Sequence, residues 1–353
     1  MESDRHPNSE ICGCSGGRPF DEAQGMPFDE AQDRPFDEAQ DRPFARAQGM
    51  PCPPGNAATA GRRYAFALII RGGTMKLICL VDNVTLPYSP FWGEHGLAFL
   101  VESAEGRVLF DTGASGTVLM HNLEVAGIAP ETIDALAISH SHHDHTGGLP
   151  KFLEQRSGLP LYANPDLLRE RFSQREGKMR SVGIPLAPEK LRQLADLRLS
   201  AEPQKVLPGI WTSGEITERP EPEGRSAHHF VRGEKGLEPD PYRDDMALVL
   251  ETERGLVLLC GCCHAGLLNT LAHVEQAFQR LVVAIIGGTH LISADADHLE
   301  RVRQKMLEME SVRHIYLNHC SGEAAFFTLM MTLGPGVVHS CPAGTQIDLE
   351  ELQ

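Results

Sequence analysis

Four side chains able to bind a metal stand within six positions: His140, His142, Asp144 and His145, in Ser139-His140-Ser141-His142-His143-Asp144-His145-Thr146-Gly147-Gly148. In extended backbone, residues two apart point the same way. His140, His142 and Asp144 can therefore share one face, and a turn is expected to bring in His145. Imidazole mixed with carboxylate suits zinc, iron or manganese, whereas calcium takes oxygen ligands. A single histidine in a polar turn needs no metal to explain it. Four candidate ligands so closely spaced, between the apolar run 133–138 and the helix-like Leu149-Pro150-Lys151-Phe152-Leu153-Glu154, read as a metal cradle at a strand end.

Further ligands must come from distant parts of the chain. His264 lies in Gly261-Cys262-Cys263-His264-Ala265-Gly266, His290 in Gly287-Gly288-Thr289-His290-Leu291, and His319 in Asn318-His319-Cys320-Ser321-Gly322-Glu323. Each follows an apolar stretch and precedes a helix or turn, where a sheet presents groups on its rim. His264 and His319 are taken as ligands. His290 can instead touch substrate or orient a ligand. Cys262, Cys263 and Cys320 are able to bind a soft metal, but a strand-end cysteine is more often a small packed residue.

These groups require a scaffold, and from Met75 the periodicity alternates between strand and helix. Strands are expected at 76–83, 97–102, 107–111 and 134–139, with a helix at 117–126. The segments 97–102 and 107–111 form a hairpin. Strands at 209–212, 246–252 and 255–260 follow, then helix 266–279, strand 281–286, helix 298–309, strand 314–318, helix 323–331 and a strand at 345–349. Two runs of strands, each followed by helices, suit two sheets packed face to face with helices outside. The stretch 164–245 shows less regular patterning and is expected to be an irregular insertion, either a lid or a surface loop. It holds Arg169, Arg171, Arg175, Lys178 and Arg180, whose charges as part of a lid would meet a phosphate or carboxylate on a substrate.

The first 74 residues differ in kind. An octapeptide, Arg18-Pro19-Phe20-Asp21-Glu22-Ala23-Gln24-Gly25, recurs at 26–33 and 34–41 and, degraded, at 42–49. Solenoid repeats run about 20–50 residues and carry enough apolar surface to stack. One phenylalanine and one proline per unit do not offset an ordering cost of about 1–2 kcal/mol per residue, so residues 1–74 read as a disordered tail. Met75-Lys76-Leu77-Ile78 resembles a natural start, and the codons of Arg71-Gly72-Gly73 can spell a purine-rich ribosome-binding site. Translation is accordingly expected to begin at Met75; a tail peptide in mass spectra of the native protein would refute this.

The net charge of −16 divides into −3 for residues 1–74 (8 basic, 11 acidic) and −13 for residues 75–353 (24 basic, 37 acidic). An acidic body repels phosphate backbones, so a small-molecule substrate is expected rather than nucleic acid. The longest apolar candidate for a membrane span, 65–70, ends at Arg71 and is too short. Nine cysteines form no secreted-type framework, so reduced thiols, a cytoplasmic location and no membrane partner are expected. A homo-oligomer is compatible with all of this.

The motif series extends beyond the metal cradle. Leu80-Val81-Asp82-Asn83, Glu94-His95-Gly96-Leu97, Phe110-Asp111-Thr112-Gly113, the His140 motif, Gly214-Glu215-Ile216 and the three later histidine segments come in this order. Together they resemble the metallo-β-lactamase superfamily, and within it the dihydropterin-methyl ribofuranosylaminobenzene phosphate synthases, from Met75 to the C-terminus. The resemblance implies an α/β fold, the αββα sandwich. It also implies that Asp111 lies beneath the metal loop and orients a ligand histidine. Two departures stand out. The superfamily's usual metal-bridging aspartate has no counterpart near Cys262, and its mid-chain Gly-His appears as Gly214-Glu215.

These readings imply a metal centre with zinc as the expected ion, one or two in number, and iron or manganese as alternatives. His140, His142 and His264 would hold one ion. Asp144, His145 and His319 would hold a second or, as catalytic groups, position water and relay protons. Glu94, His95, Glu215, Cys262 and His290 are candidates for orienting ligands or touching substrate. A bound metal that lowers the pKa of water from about 15.7 to about 7 suits hydrolysis of an ester, thioester, lactone or phosphodiester. In a transferase the metal would bind the leaving diphosphate of a pterin substrate. The remaining alternative is a catalytically silent metal- or ligand-binding protein.

Overall fold

A computed structural model describes residues 75–352. The octapeptide tail lies outside the described residues, and so does the upstream segment on which the expected start at Met75 depends.

The chain opens with β1 (Lys76–Val81), β2 (Ala98–Ser103), β3 (Gly106–Phe110), helix α1 (Gly116–Val125) and β4 (Ala135–Ala137). One helical turn, α2 (His143–Thr146), is followed by α3 (Leu149–Gln155) and β5 (Pro160–Ala163). Next come β6 (Arg171–Arg175), β7 (Lys178–Ser181), α4 (Pro188–Leu194), β8 (Asp196–Leu199), β9 (Lys205–Leu207) and β10 (Ile210–Thr212). After β11 (His229–Gly233) and β12 (Gly236–Pro239) come β13 (Ala247–Glu251), β14 (Leu256–Cys260), α5 (Leu267–Phe278), β15 (Val282–Gly287) and α6 (Ala296–Glu308). The chain closes with β16 (His314–Leu317), α7 (Glu323–Leu333), β17 (Val338–Ser340) and β18 (Gln346–Asp348).

Two seven-stranded sheets result, ordered β18-β1-β2-β3-β4-β5-β8 and β17-β16-β15-β14-β13-β10-β9. Within each, antiparallel pairing gives way to parallel pairing where helices begin to connect the strands, at β3–β4 and at β14–β15. The strands carry apolar residues on both faces, so both must be covered. Leu77, Cys79, Phe99 and Val101 of the first sheet share a cluster with Leu248, Leu250, Val257 and Leu259 of the second, which is the layer between the sheets. The alternate residues Ile78, Leu80, Ala98 and Leu100 join Leu119, Leu123, Phe152 and Leu191 of α1, α3 and α4. Leu256, Leu258 and Cys260 join Leu271, Val302 and Leu329 of α5, α6 and α7. These three apolar layers define an αββα sandwich, and each fully buried Leu or Phe contributes about 1.5–3 kcal/mol.

The stretch expected to be irregular, 164–245, carries helix or strand over about half its length. Strands β8, β9 and β10 extend the two main sheets, while β12-β11-β6-β7 form a third, antiparallel sheet. Its outer strands, β7 and β12, are exposed throughout and bury little apolar surface, so no clear hydrophobic period marks them in the sequence. Arg171, grouped with the substrate-facing arginines, is instead buried. It is held by Asp240 at 2.9 Å, Asp244 at 2.6 Å and Asp166 at 2.9 Å. Asp244 also accepts the Ser141 N–H at 2.8 Å, so this ion cluster braces the metal loop from below. Among the described residues, no helix is long and apolar enough to cross a membrane.

Candidate metal centre

The histidine-rich loop leaves β4 and enters α2 after only five residues. His142 is the last extended residue; its carbonyl accepts from the N–H groups of His145 and Thr146, both at 3.0 Å. The helical turn thus begins at His143, one residue before Asp144. Asp144 therefore leaves a helical turn, not the extended face expected to be shared with His140 and His142. The pair Gly147-Gly148 is required here: a Cβ on Gly147 would stand 2.1 Å from the Ala114 carbonyl oxygen, and one on Gly148 2.2 Å from that of Thr112. Without side chains, the turn packs onto the loop after β3.

That loop carries Asp111, fully buried with a φ of 58°. Its Oδ2 lies 2.7 Å from His145 Nδ1 and accepts the Ser139 hydroxyl, also at 2.7 Å. Ser139 Oγ in turn lies 2.9 Å from His140 Nδ1. One carboxylate therefore orients two imidazoles, directly and through a hydroxyl, and turns the Nε2 atom of each toward the site. His264 is fixed likewise by the Gly224 carbonyl, 2.8 Å from Nδ1, and His319 by Asn83 Oδ1, 3.1 Å from Nδ1.

The remaining ring nitrogens converge. His140 Nε2 and His142 Nδ1 face each other at 3.1 Å. His319 Nε2 lies 3.4 Å from Asp144 Oδ2, and His145 Nε2 lies 3.9 Å from the same oxygen and 3.1 Å from Cys262 Sγ. The Nε2 atoms of His264 and His319 are buried without a hydrogen-bond partner. Buried acceptors without a donor are costly unless something else satisfies them, and a divalent cation does so for several at once. Ligand atoms of His140, Cys262 and His264 lie within 4.8 Å of one another, as do those of His145, Cys262 and His319, and those of His95, Asp144 and His319. The donor set therefore fits a divalent metal of the zinc type.

The electrostatics divide the rings into two kinds. Burial, reinforced by neighbouring imidazoles, holds His140 and His264 well below the usual histidine range; burial also holds His142 there. Neutral imidazole is the form that ligates a metal. Burial opposes charge on His145 too, but the Asp111 and Asp144 carboxylates override it and lift this ring to about 9. Burial would raise Asp144, yet His145 and His319 hold it well below the carboxylate range. Strained backbone gathers here as well: of the eight non-glycine residues with positive φ among the described residues, five (Asp111, Tyr242, Cys263, His290 and His319) belong to the site or its wall.

Above these groups opens a cavity of about 1030 Å³, lined among others by His95, Arg175, Arg180, His229 and His290. Arg175 and Arg180, on the β6–β7 hairpin, have no ion-pair partner among the described residues and give the mouth positive charge. His290 is half-buried, its ring 4.2 Å from that of His264, and burial followed by His319 lowers it to about 4. His95 lies at the rim, 3.4 Å from Asp144. Two expected contacts lie elsewhere. Glu94 Oε1 accepts the N–H groups of Ala114 and Ser115 at 3.0 and 2.8 Å, clamping the loop after β3, and Glu215 pairs with Arg243 at 3.1 Å.

The sequence reading passed over His229 and Tyr242. The His229 ring packs 4.7 Å from His142, its Nδ1 lies 2.9 Å from the Tyr242 hydroxyl, and the Tyr242 ring stacks on His264 at 4.2 Å. Both come from the stretch whose strands have no clear period, and no local motif marks either.

The sequence pattern of the metallo-β-lactamase superfamily matches residues 92–262. The chain is 31% identical over 259 residues to the 7,8-dihydropterin-6-methyl-4-(β-D-ribofuranosyl)-aminobenzene-5'-phosphate synthase of Methanocaldococcus jannaschii, covering 70% of this chain and 88% of that enzyme. It is 28% identical over 252 residues to an uncharacterised protein of the same archaeon, covering 71% of this chain and 92% of that one. Among solved structures it resembles Tm1679, a metal-dependent hydrolase of the β-lactamase superfamily, with a TM-score of 0.67 and 26% identity over 78% of this chain and 99% of that one.

Proposed function

The chain belongs to the metallo-β-lactamase superfamily, in the subfamily of the archaeal synthase, and from that premise we propose that it is a metal-dependent enzyme transferring a group from a small anionic substrate. One observation carries the reading: ligand nitrogens converge on the floor of a cavity whose mouth bears two arginines that have no carboxylate partner among the described residues. His140, His142 and His264 would hold one ion, and Asp144, His145 and His319 a second. When bound, such an ion supplies a Lewis acid for a phosphoryl or ester oxygen and brings the pKa of water from about 15.7 to about 7.

The protein's own groups do the rest. Arg175 and Arg180 orient the phosphate-bearing part of the substrate. Asp111 keeps the His145 and His140 rings aimed into the site. His95, at the rim beside Asp144, exchanges protons between substrate and solvent at its Nε2. In the preferred reaction a dihydropterin-methyl diphosphate loses diphosphate as its methylene joins a ribofuranosylaminobenzene phosphate, and the proton displaced from the acceptor leaves to solvent. Hydrolysis is the second reading, favoured by the likeness to Tm1679.

The test is diphosphate release by metal-loaded protein with each substrate alone and with both, beside a panel of esters, lactones and phosphodiesters. Release that requires both substrates supports the transferase. Turnover of a single ester or phosphodiester moves the assignment to hydrolase, and metal binding without any turnover moves it to a binding protein.

A further inference from the structure

Cys262 follows β14 in the loop Gly261-Cys262-Cys263-His264, buried at the cavity floor. It belongs to two clusters of ligand atoms, one with His140 and His264 and the other with His145 and His319. Its Sγ is 3.1 Å from His145 Nε2 and 3.3 Å from Cys320 Sγ. Among the described residues no carboxylate joins it in either cluster. Asp111 faces the far nitrogen of His145, Asp245 accepts the Ala265 N–H at 2.8 Å, and Asp144 stands on the His319 side. Gly261 allows this loop to come so close: a Cβ there would lie 2.2 Å from Ser139 Oγ.

We propose that Cys262 is a metal ligand, bound as the thiolate and shared between the two halves of the centre. The inference rests on the metal-centre reading above and extends it to the identity of the ion. On binding, Cys262 gives up its Sγ proton to solvent and the sulfur lone pair forms the metal bond, with no change of oxidation state. A soft sulfur in this position favours zinc, cobalt or iron(II) over manganese and magnesium, which prefer oxygen. Cys320, whose Sγ accepts the His290 N–H at 3.3 Å, belongs to neither cluster and serves as the neighbouring thiol that the test must tell apart from Cys262.

Cobalt(II) substitution of the full-length protein tests this, because thiolate-to-cobalt charge transfer absorbs in the near ultraviolet whereas histidine and carboxylate ligands give only the visible bands. The wild type is expected to show both. Cys262→Ser is expected to lose the ultraviolet band, keep the visible ones and bind cobalt at least about tenfold more weakly, since losing even a supporting partner of a ligand costs about 10–100-fold. Cys320→Ser is expected to keep the band. Cys262→Asp should bind cobalt without the band and accept manganese better than the wild type. Visible bands without charge transfer in the wild type would overturn the shared thiolate and leave the metal centre intact. A band lost in Cys320→Ser but kept in Cys262→Ser would reassign the ligand and overturn the proposal. No cobalt uptake by the wild type would overturn the metal centre itself. Should Cys262→Ser fail to fold by circular dichroism, the wild-type and Cys320→Ser spectra still decide the matter.

Discussion

Replacing Asp111 with asparagine separates its charge from its shape. In the metal-free protein its carboxylate and that of Asp144 raise the buried His145 ring from 6.5 to about 9. A group whose pKa rises on folding stabilises the folded state fully below its unfolded value, near pH 6.5, and that stability is lost as pH climbs through about 9. At about 1.36 kcal/mol for each tenfold change in proton affinity, that rise corresponds to about 3 kcal/mol. Most of it should vanish in Asp111→Asn, because Asp111 is the larger source of the rise. The substitution also leaves the Ser139 hydroxyl or amide without its acceptor, a pH-independent loss of about 1–3 kcal/mol. Urea unfolding of chelator-treated wild type and variant, at about pH 6 and about pH 10, reads both parts. The gap between the two proteins should be widest at the lower pH and shrink to the pH-independent part at the higher. In the metal-loaded state the variant should bind zinc about 10–100-fold more weakly. A gap that stays constant across this window would refute the claim that Asp111 charges His145, and unchanged zinc affinity would refute its orienting role.

Arg175→Ala combined with Arg180→Ala should raise KM for an anionic substrate about tenfold or more with kcat nearly unchanged, as expected when binding common to ground and transition states is removed; steady-state kinetics decide, and a fall in kcat alone would oppose the assignment. Arg171→Met should cost about 3–5 kcal/mol in urea unfolding, because Asp240 and Asp244 are left buried without their cation. A rise in KM without that loss would return Arg171 to the substrate. Glu94→Ala should lower stability by about 1–3 kcal/mol, through the freed N–H groups of Ala114 and Ser115, while metal stoichiometry stays the same. Elemental analysis beside a thermal melt would check this, and a stable variant with raised KM would contradict the clamp.

The local features were legible in the sequence because local rules produce them. Continuous apolar runs at 77–81, 97–101, 256–260 and 282–286 mark strands buried on both faces, and the helices after His264 and after Gly322 follow from a helix period of about 3.6, so most strands of both sheets and their outer helices could be read directly, whereas the short strands β5, β8, β9 and β17 could not. The His140 motif was legible because its candidate ligands are sequence neighbours. The third sheet was not legible, since exposed strands such as β7 and β12 bury too little to impose a period. Nor could spacing alone distinguish a buried Arg171 from an exposed Arg175.

What the sequence by itself determined is therefore the layered fold and most of the side chains that the structure gathers at one rim. Only the tertiary structure decided which of them meet. Cys262 stands 117 residues from His145 and 58 from Cys320, and no local rule relates them. They come together because two sheets bury their inner faces against each other and end their strands at one rim. That burial is non-directional and summed over dozens of side chains, so the meeting point is a property of the packed whole.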